Sequence, residues 1–418
     1  MLVPMQFVDL HLHSKYSRAC SSSISLDSLA ACARLKGLTV LGTGDFTHPL
    51  WLKELKQNLL FEDGAYRYDG ITFIPSTEIS LIYTQGGRGR RIHHLILAED
   101  FGQVDQINDF LRKKGRLDYD GRPMFGFSSI ELVEQLMSIS KDIMVIPAHA
   151  WTPWYGIFGS MSGFKSLQEC FQDKTKYVHA IETGLSSDPK MNWRLSNLDE
   201  VSLVSFSDAH SAQPWRLGRE CCALECAPSY KEITDAMKTK NKFAFTVEFF
   251  PEEGKYHFDG HRNCNFSCSP EESKRLGDQC PQCGSKMTIG VLHRVEELAD
   301  RPDGFVPKDA VPFKSLMPLT ELIAALYNTQ PYAQRVAATD AKLIDAFGNE
   351  FNVLLTAERD AVARIDEKLT DLILQNRAGA LSITPGYDGV YGKLVVDPAK
   401  FAAPAPTRKQ KTMKQFLK

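Results

Sequence analysis

The chain lacks any run of about 18 uninterrupted apolar residues, the least that a membrane-spanning helix needs, so no membrane partner is expected. Its beginning, MLVPMQFVDLHLHS, turns to charge and histidine too early for a secretory signal. Cysteine is too dilute for a disulfide scaffold, at ten among 418 residues, and the cysteines are uneven: Cys264, Cys268, Cys280 and Cys283 cluster while the others are scattered. Neither sign of charge dominates, with 49 Lys and Arg against 51 Asp and Glu, so the whole-molecule field gives no reason to expect nucleic acid; patches bind where averages do not. What remains, 43% hydrophobic and 24% charged residues, excludes a disordered or fibrous chain. The length suits two or three domains, and the expected location is the cytoplasm.

From Phe7 to about Val247, short β-branched apolar runs (FVDLHLH, LTVLGTGD, ITFIPSTEISLIY, IHHLILAE, IMVIPAHA, VHAIETG, VSLVSFSDAH) alternate with helical stretches such as SLDSLAACARLKG and SSIELVEQLMSISKD. Serine N-caps open both of these helices, and Gly37 and Gly115 are candidate stops. Such alternation predicts an α/β fold of parallel strands joined by crossover helices, and about seven strands favour a barrel over an open sheet. After Phe250 a stretch rich in Cys, Gly, Pro and charge is too poor in aliphatic residues to hold itself together without a staple. Leu319 to Arg377 carries helical periodicity, ALSITPGYDGVYGKLVVD reads as a hairpin, and FAAPAPTRKQKTMKQFLK is a linker with a basic tail. The predicted division is a barrel over 1–247, a Cys-rich module over 248–295, a helical domain with a hairpin over 296–400 and a flexible tail over 401–418.

Histidines and carboxylates fall at strand ends. His11 and His13 are two apart in a strand and leave on one face. Asp45 and His48 follow the second strand, Glu78 the third, His93 and His94 lie in RIHHLIL, and His149, Glu182, Asp208 and His210 close later strands. In parallel α/β architectures these ends build one rim, and neutral imidazoles with carboxylates are the donors that Zn²⁺, Mn²⁺ or Mg²⁺ take in polynuclear phosphoryl-transfer sites.

The series D-L-H-L-H-S, T-G-D, a Glu after the third strand, H-L-I-L, P-A-H and S-D-A-H, over about 240 residues, resembles the PHP (polymerase and histidinol phosphatase) family of metal-dependent phosphoesterases. The resemblance implies a distorted (β/α)7 barrel with a trinuclear centre in which His11, His13, Glu78 and Asp208 hold one ion and do the catalytic work. It further implies a neighbouring ion shared by Glu78, His94 and His149, and another held by His210 with Asp45 or His48, a choice left open. Phe46 stands where the family often has His, and Arg18, Ala19 and Cys20 occupy a stretch that commonly carries another; Asp9 or Asp45 would compensate. Of the adjacent pair, H-L-I-L favours His94 as ligand and leaves His93 in the core or behind a ligand.

Cys264-x3-Cys268-x11-Cys280-x2-Cys283 supplies two short chelating pairs for a structural Zn²⁺, with His261 as an alternative to Cys264 because the x3 spacing is less common. Around the rim ligands lie Trp151, Trp154, Tyr155, Phe158, Trp193 and Trp215, candidates to stack on unpaired bases, and Arg88, Arg90 and Arg91, candidates for backbone phosphates. In the tail, Gln410, Met413, Phe416 and Leu417 are similar to the peptide that docks on the sliding clamp PCNA, with Leu in place of the last aromatic. PHP motifs, the Cys-rich insert followed by KMTIGVLHRVEELADR, and a helical C-terminal region together resemble the endonuclease Q family over essentially the whole chain. That resemblance implies a DNA repair endonuclease acting 5′ to deaminated bases (uracil, hypoxanthine, xanthine) and abasic sites by base flipping, with zinc as a structural ion and in the catalytic centre, Mg²⁺ or Mn²⁺ for activity, damaged DNA as partner and a nucleoid-associated location. The alternatives are a small-molecule phosphatase, such as a histidinol phosphate phosphatase, and a non-catalytic DNA-binding adaptor.

Overall fold

The computed structural model describes residues 4–396. Strand Gln6–Asp9 lies parallel to Val40–Gly42, and that strand lies parallel to Ile71–Ile74. The helix Leu26–Lys36 carries the first crossover. Ser25 and Ser28 close a reciprocal capping box at its start, and Gly37, with φ 92°, takes the left-handed conformation that ends it. Ser128 likewise caps Ser129–Ile139.

Uniform strand polarity, predicted from the alternation, does not hold. Past Pro75 the third strand continues as Ser76–Gln85, then folds back into Arg88–Leu97 as an antiparallel ladder. Gly86 and Gly87, with φ of 61° and 72°, form the two-residue turn, whose two positive φ angles suit a right-twisted hairpin and leave no room for a crossover helix. Arg88–Leu97 in turn pairs antiparallel with Met144–Pro147. Ala150 N–H then donates to Glu182 O at 2.9 Å, bringing Ala180–Glu182 alongside, and that strand is parallel to Ser202–Val204. A parallel bridge between Leu12 and Ala209 closes the ring. The architecture is therefore an α/β barrel distorted by mixed polarity, with Cys221–Leu224, Phe243–Glu248 and Phe313–Ser315 extending one sheet beyond the ring.

The C-terminal region is helical as expected, with Leu319–Leu326, Gln334–Phe347 and Glu367–Arg377. It docks on the barrel through a fully buried ion pair, Lys36 Nζ to Glu350 Oε1 at 2.6 Å, beside the stacked rings of Phe7 and Phe351 at 4.5 Å. Breaking such a pair strands an uncompensated charge, so the contact fixes one docking register. The expected hairpin forms between Ile383–Thr384 and Lys393–Leu394 and packs against the Cys-rich module, where Gly386 N–H donates to Glu252 O. No helix among the described residues is long and apolar enough to cross a membrane. The clamp-like residues Gln410, Met413, Phe416 and Leu417 lie outside the described residues.

Candidate metal centre and adjoining cavity

The loop after Val40–Gly42 is held from beneath by Trp51, whose fully buried indole N–H bonds the carbonyls of Thr43 and Gly44 at 3.0 Å. Asp45, His149 and Asp208, each the first ionisable residue beyond a strand, have positive φ of 44°, 31° and 47°. Non-glycine residues adopt that conformation only when their surroundings hold them there, and such strain gathers at functional sites.

Four side chains from three strand ends converge in one set: His11, His13, Glu78 and Asp208. His11 Nε2 lies 3.7 Å from Glu78 Oε2 and 3.6 Å from Asp208 Oδ1, and His13 Nε2 lies 3.3 and 3.2 Å from the same atoms. Metal–ligand bonds of about 2.0–2.2 Å give tetrahedral edges of about 3.3–3.6 Å, so these spacings fit one ion. His11 Nε2, His13 Nε2 and Asp208 Oδ1 are buried without hydrogen-bond partners, an arrangement a cation would satisfy. Behind them, Glu182 accepts from His11 Nδ1 at 2.9 Å and Asp45 from His13 Nδ1 at 2.9 Å. Carboxylates on the far imidazole nitrogen fix the tautomer that leaves Nε2 free.

A second set shares Glu78. His93 Nδ1 and His149 Nε2 approach Glu78 Oε1 at 2.7 and 3.0 Å and lie 3.1 Å from each other, while His149 Nδ1 pairs with Thr152 Oγ1 at 2.9 Å. Here the expectation for His94 is overturned. Adjacent residues of a strand face opposite ways, and the register Ser80↔His93 and Ile79↔His94 sends His93 inward. His94 is fully buried behind it, 2.8 Å from Ser129 Oγ and against Phe171. Burial lowers the pKa of His94 to about 3 and keeps it neutral.

The expected third set does not assemble. Asp45 has both oxygens engaged, one with His13 and the other with the Ser14 amide and hydroxyl and Ser17 Oγ at 2.6, 2.7 and 2.9 Å. His48 occupies the position before the helix Pro49–Asn58 and its ring stacks on Tyr16 at 4.4 Å. His210 reaches the rim, its ring 4.7 Å from that of His13, but no three-residue set with Asp45 or His48 forms among the described residues. Asp9 serves the backbone, accepting from Ser207 and Gly218 N–H at 3.0 and 2.9 Å.

The electrostatics follow from packing opposite charges in a dry space. Burial alone would lower the His11 and His13 pKa values, yet Glu182, Asp208 and Glu78 around the first, and Asp45, Asp208 and Glu78 around the second, raise both well above the ordinary value. Burial would raise Glu78, but His93, Arg122 and His11 hold it well below the carboxylate range. Arg122, which no strand-end pattern predicts, donates from Nη1 to Glu78 Oε2 at 2.9 Å.

A cavity of about 550 Å³ opens beside these ligands, bounded by His93, His149 and Asp208 on one side and by Trp154, Tyr155, Tyr256 and Tyr391 on the other, with Lys255, Arg216 and Arg219 contributing charge. Of the aromatic residues expected here, only Trp154 and Tyr155 line it. Trp151 and Phe158 are buried against each other, with Trp151 Nε1 donating to Asn192 Oδ1 at 2.7 Å. Trp193 meets Phe313 edge-on at a different cavity, and Trp215 lines a cleft against the helical region. Among the arginines, Arg90 is buried over Phe164 and bonded to Gly163 O and Glu169, whereas Arg88 and Arg91 are exposed. Tyr256, Tyr391 and Lys255 belong to the insert and the C-terminal hairpin, so their part in the cavity had no local signal in the sequence.

In the Cys-rich module the thiol set is Cys264, Cys280 and Cys283 with His261, whose Nδ1 is 3.4 Å from Cys283 Sγ. His261 therefore stands in for Cys268, not for Cys264. The antiparallel ladder Asp259–His261 with Phe266–Cys268 sets Cys268 opposite Asp259, at the other end from His261, where it packs into the module's small core with Cys280 and Met287. Three thiols and an imidazole remain a tetrahedral zinc-type donor set.

Residues 318–380 match the model of the MJ0043 C-terminal domain family. The protein MJ0043 of Methanocaldococcus jannaschii is 33% identical over 258 residues, covering 60% of this chain; the chain spans only 32% of that relative's length. A crystal structure of a lesion-specific endonuclease from Pyrococcus furiosus, PfuEndoQ, superimposes with a TM-score of 0.86 at 30% identity, covering 96% of this chain and 98% of the other. An endonuclease Q complex with a 27-mer duplex carrying an abasic lesion at its active site matches with the same TM-score and identity, covering 99% of that chain. At this identity and near-complete mutual coverage, the chain belongs to the endonuclease Q family.

Proposed function

We propose that this protein is a metal-dependent DNA repair endonuclease that recognises deaminated bases and abasic sites and hydrolyses the phosphodiester 5′ to the lesion. One observation carries the reading: Glu78 joins two ligand sets beside a cavity walled by aromatic rings and cationic side chains. The solved relatives named above act on lesions, one of them seen with an abasic duplex, which supports the same substrate class.

His11, His13, Glu78 and Asp208 would hold one divalent ion, and Glu78, His93 and His149 a neighbouring one; bound there, Zn²⁺, Mn²⁺ or Mg²⁺ would lower the pKa of a water and offset phosphate charge. Glu182 and Asp45 orient the imidazoles and keep their Nε2 atoms directed at the site. Trp154, Tyr155 and Tyr256 offer ring faces to a flipped nucleotide, and Lys255 and Arg216 offer charge to its backbone. Hydrolysis forms a bond between phosphorus and a water oxygen and breaks the bond to O3′, leaving a 3′-hydroxyl and a 5′-phosphate. His261, Cys264, Cys280 and Cys283 would hold a structural zinc that folds the module supplying Tyr256 to the cavity. The tail motif of Gln410, Met413, Phe416 and Leu417 supports docking on a PCNA-type clamp, and a DNA substrate places the protein in the cytoplasm at the nucleoid.

The test is a denaturing gel of a 5′-labelled duplex carrying one deoxyuridine, deoxyinosine or abasic site, incubated with the chain and Mg²⁺ or Mn²⁺ beside the undamaged duplex. A single metal-dependent nick 5′ of the lesion is expected. Turnover of small phosphate esters without any cleavage of DNA would refute the reading and move the function to a phosphatase.

A further inference from the structure

We propose that Arg122 is a catalytic residue that grips the scissile phosphate: bonded through one nitrogen to the Glu78 carboxylate that the two ligand sets share, it presents its remaining N–H groups to a non-bridging oxygen of the phosphodiester. This rests on the endonuclease reading above and adds a specific group to it.

The position of the guanidinium is set by its neighbours. Nη1 donates at 2.9 Å to Glu78 Oε2, the oxygen that also faces His11 and His13 Nε2. The charge therefore sits over the first ligand set. That bond uses one of the five N–H groups of a guanidinium, and among the described residues the side chain has no other hydrogen-bonded acceptor. Its side chain is 26% exposed. A guanidinium fork matches the oxygens of a phosphate and can hold a carboxylate and a phosphate at once, which a lysine ammonium does less well.

The backbone beneath it is rigid. Gly121 N–H donates to Tyr16 O at 3.1 Å, Gly121 O accepts from Thr47 Oγ1 at 3.1 Å, and Arg122 N–H donates to Asp120 Oδ1 at 3.1 Å. A Cβ on Gly121 would lie 2.2 Å from Asp45 Oδ2 and 2.4 Å from Ser17 Oγ, so the loop rests directly on the carboxylate that orients His13. A positive group placed against a cation-binding centre is repelled by the ions that enter it. An anion arriving between them relieves that repulsion, and the phosphodiester is the anion this site would receive.

The experiment uses the full chain with Mn²⁺ and an abasic duplex, the scissile phosphate being native or replaced by one phosphorothioate diastereomer. Arg122→Ala is expected to slow single-turnover cleavage about 10²–10³-fold. Metal content and affinity for the duplex should stay within about threefold, as for loss of a contact made mainly in the transition state. The preference between diastereomers shown by wild type should collapse, and added guanidinium should restore part of the rate. Arg122→Lys, which keeps the charge and guards against a folding defect, should be slowed at least about tenfold. Cleavage by both variants at wild-type rate, or a loss that tracks metal content while the diastereomer preference persists, would overturn the assignment. Failure of the wild-type chain to nick any lesion duplex would instead refute the endonuclease reading beneath it.

Discussion

Glu182 is a carboxylate that should matter without touching substrate. It is completely buried, accepts from His11 Nδ1 at 2.9 and 3.0 Å through its two oxygens, and accepts from the His149 backbone N–H at 2.6 Å. It therefore steers a ligand of each set. In Glu182→Gln an amide oxygen at the Oε2 position keeps the bond from the His149 amide, but the amide nitrogen, at the Oε1 position, then faces His11 Nδ1–H, donor against donor. Losing one charge-assisted hydrogen bond costs about 1.5–3 kcal/mol, and the lost negative charge also makes the His11 imidazole a poorer ligand. Loss of such an outer partner lowers metal affinity by about 10–100-fold, or roughly 1.4–2.7 kcal/mol. Calorimetric titration of metal-free protein with Mn²⁺ measures this directly, with a thermal melt as control for folding. An affinity within about twofold of wild type in a folded variant would refute the argument that orientation of His11 and His149 runs through Glu182.

Three further outcomes are expected. His93→Ala should remove metal from the second set and abolish nicking, whereas His94→Ala should keep both and cost about 1–3 kcal/mol of stability through the cavity left by a fully buried ring, as metal analysis and denaturant melts will show. Zinc analysis should find one structural zinc per chain retained by Cys268→Ala and lost by Cys264→Ala or His261→Ala; loss from the Cys268 variant alone would contradict the ligand set. Burial pushes the Glu253 carboxyl from 4.5 up to about 9, so the folded protein holds a proton there that the unfolded chain releases, and this group's contribution to stability falls as pH rises between those values. Glu253→Gln, neutral at every pH, should therefore melt higher than wild type at pH 8, with a difference that shrinks toward pH 5; an unchanged difference across that range would count against it.

Much of the site was legible because strand ends carry side chains to a rim whatever the tertiary detail. The His-x-His pair, Glu78, His149 and Asp208 each end or follow an apolar run, and local periodicity suffices to find them. The exchange of His94 for His93 shows where that logic stops. Inward and outward alternate residue by residue, and the choice depends on the register of a long hairpin, Ser76–Gln85 against Arg88–Leu97. Cys268 is a similar case: spacing cannot tell a ligand thiol from a core thiol, and pairing with Asp259 decides it. Trp151 and Trp154 are alike on paper, yet one bonds Asn192 in the core while the other meets Tyr256 edge-on at the cavity wall.

Residue type and short-range periodicity sufficed for the α/β alternation, the helix caps at Ser25 and Ser128, the helical C-terminal region and the donor chemistry of the candidate metal centre. Strand polarity, the ring closure at Leu12 and Ala209, the pairing of Arg122 with Glu78 and the arrival of Tyr256 and Tyr391 beside the ligands came from packing alone. Each of these joins segments far apart in the chain, and such contacts follow from how packed elements meet, which no local pattern records.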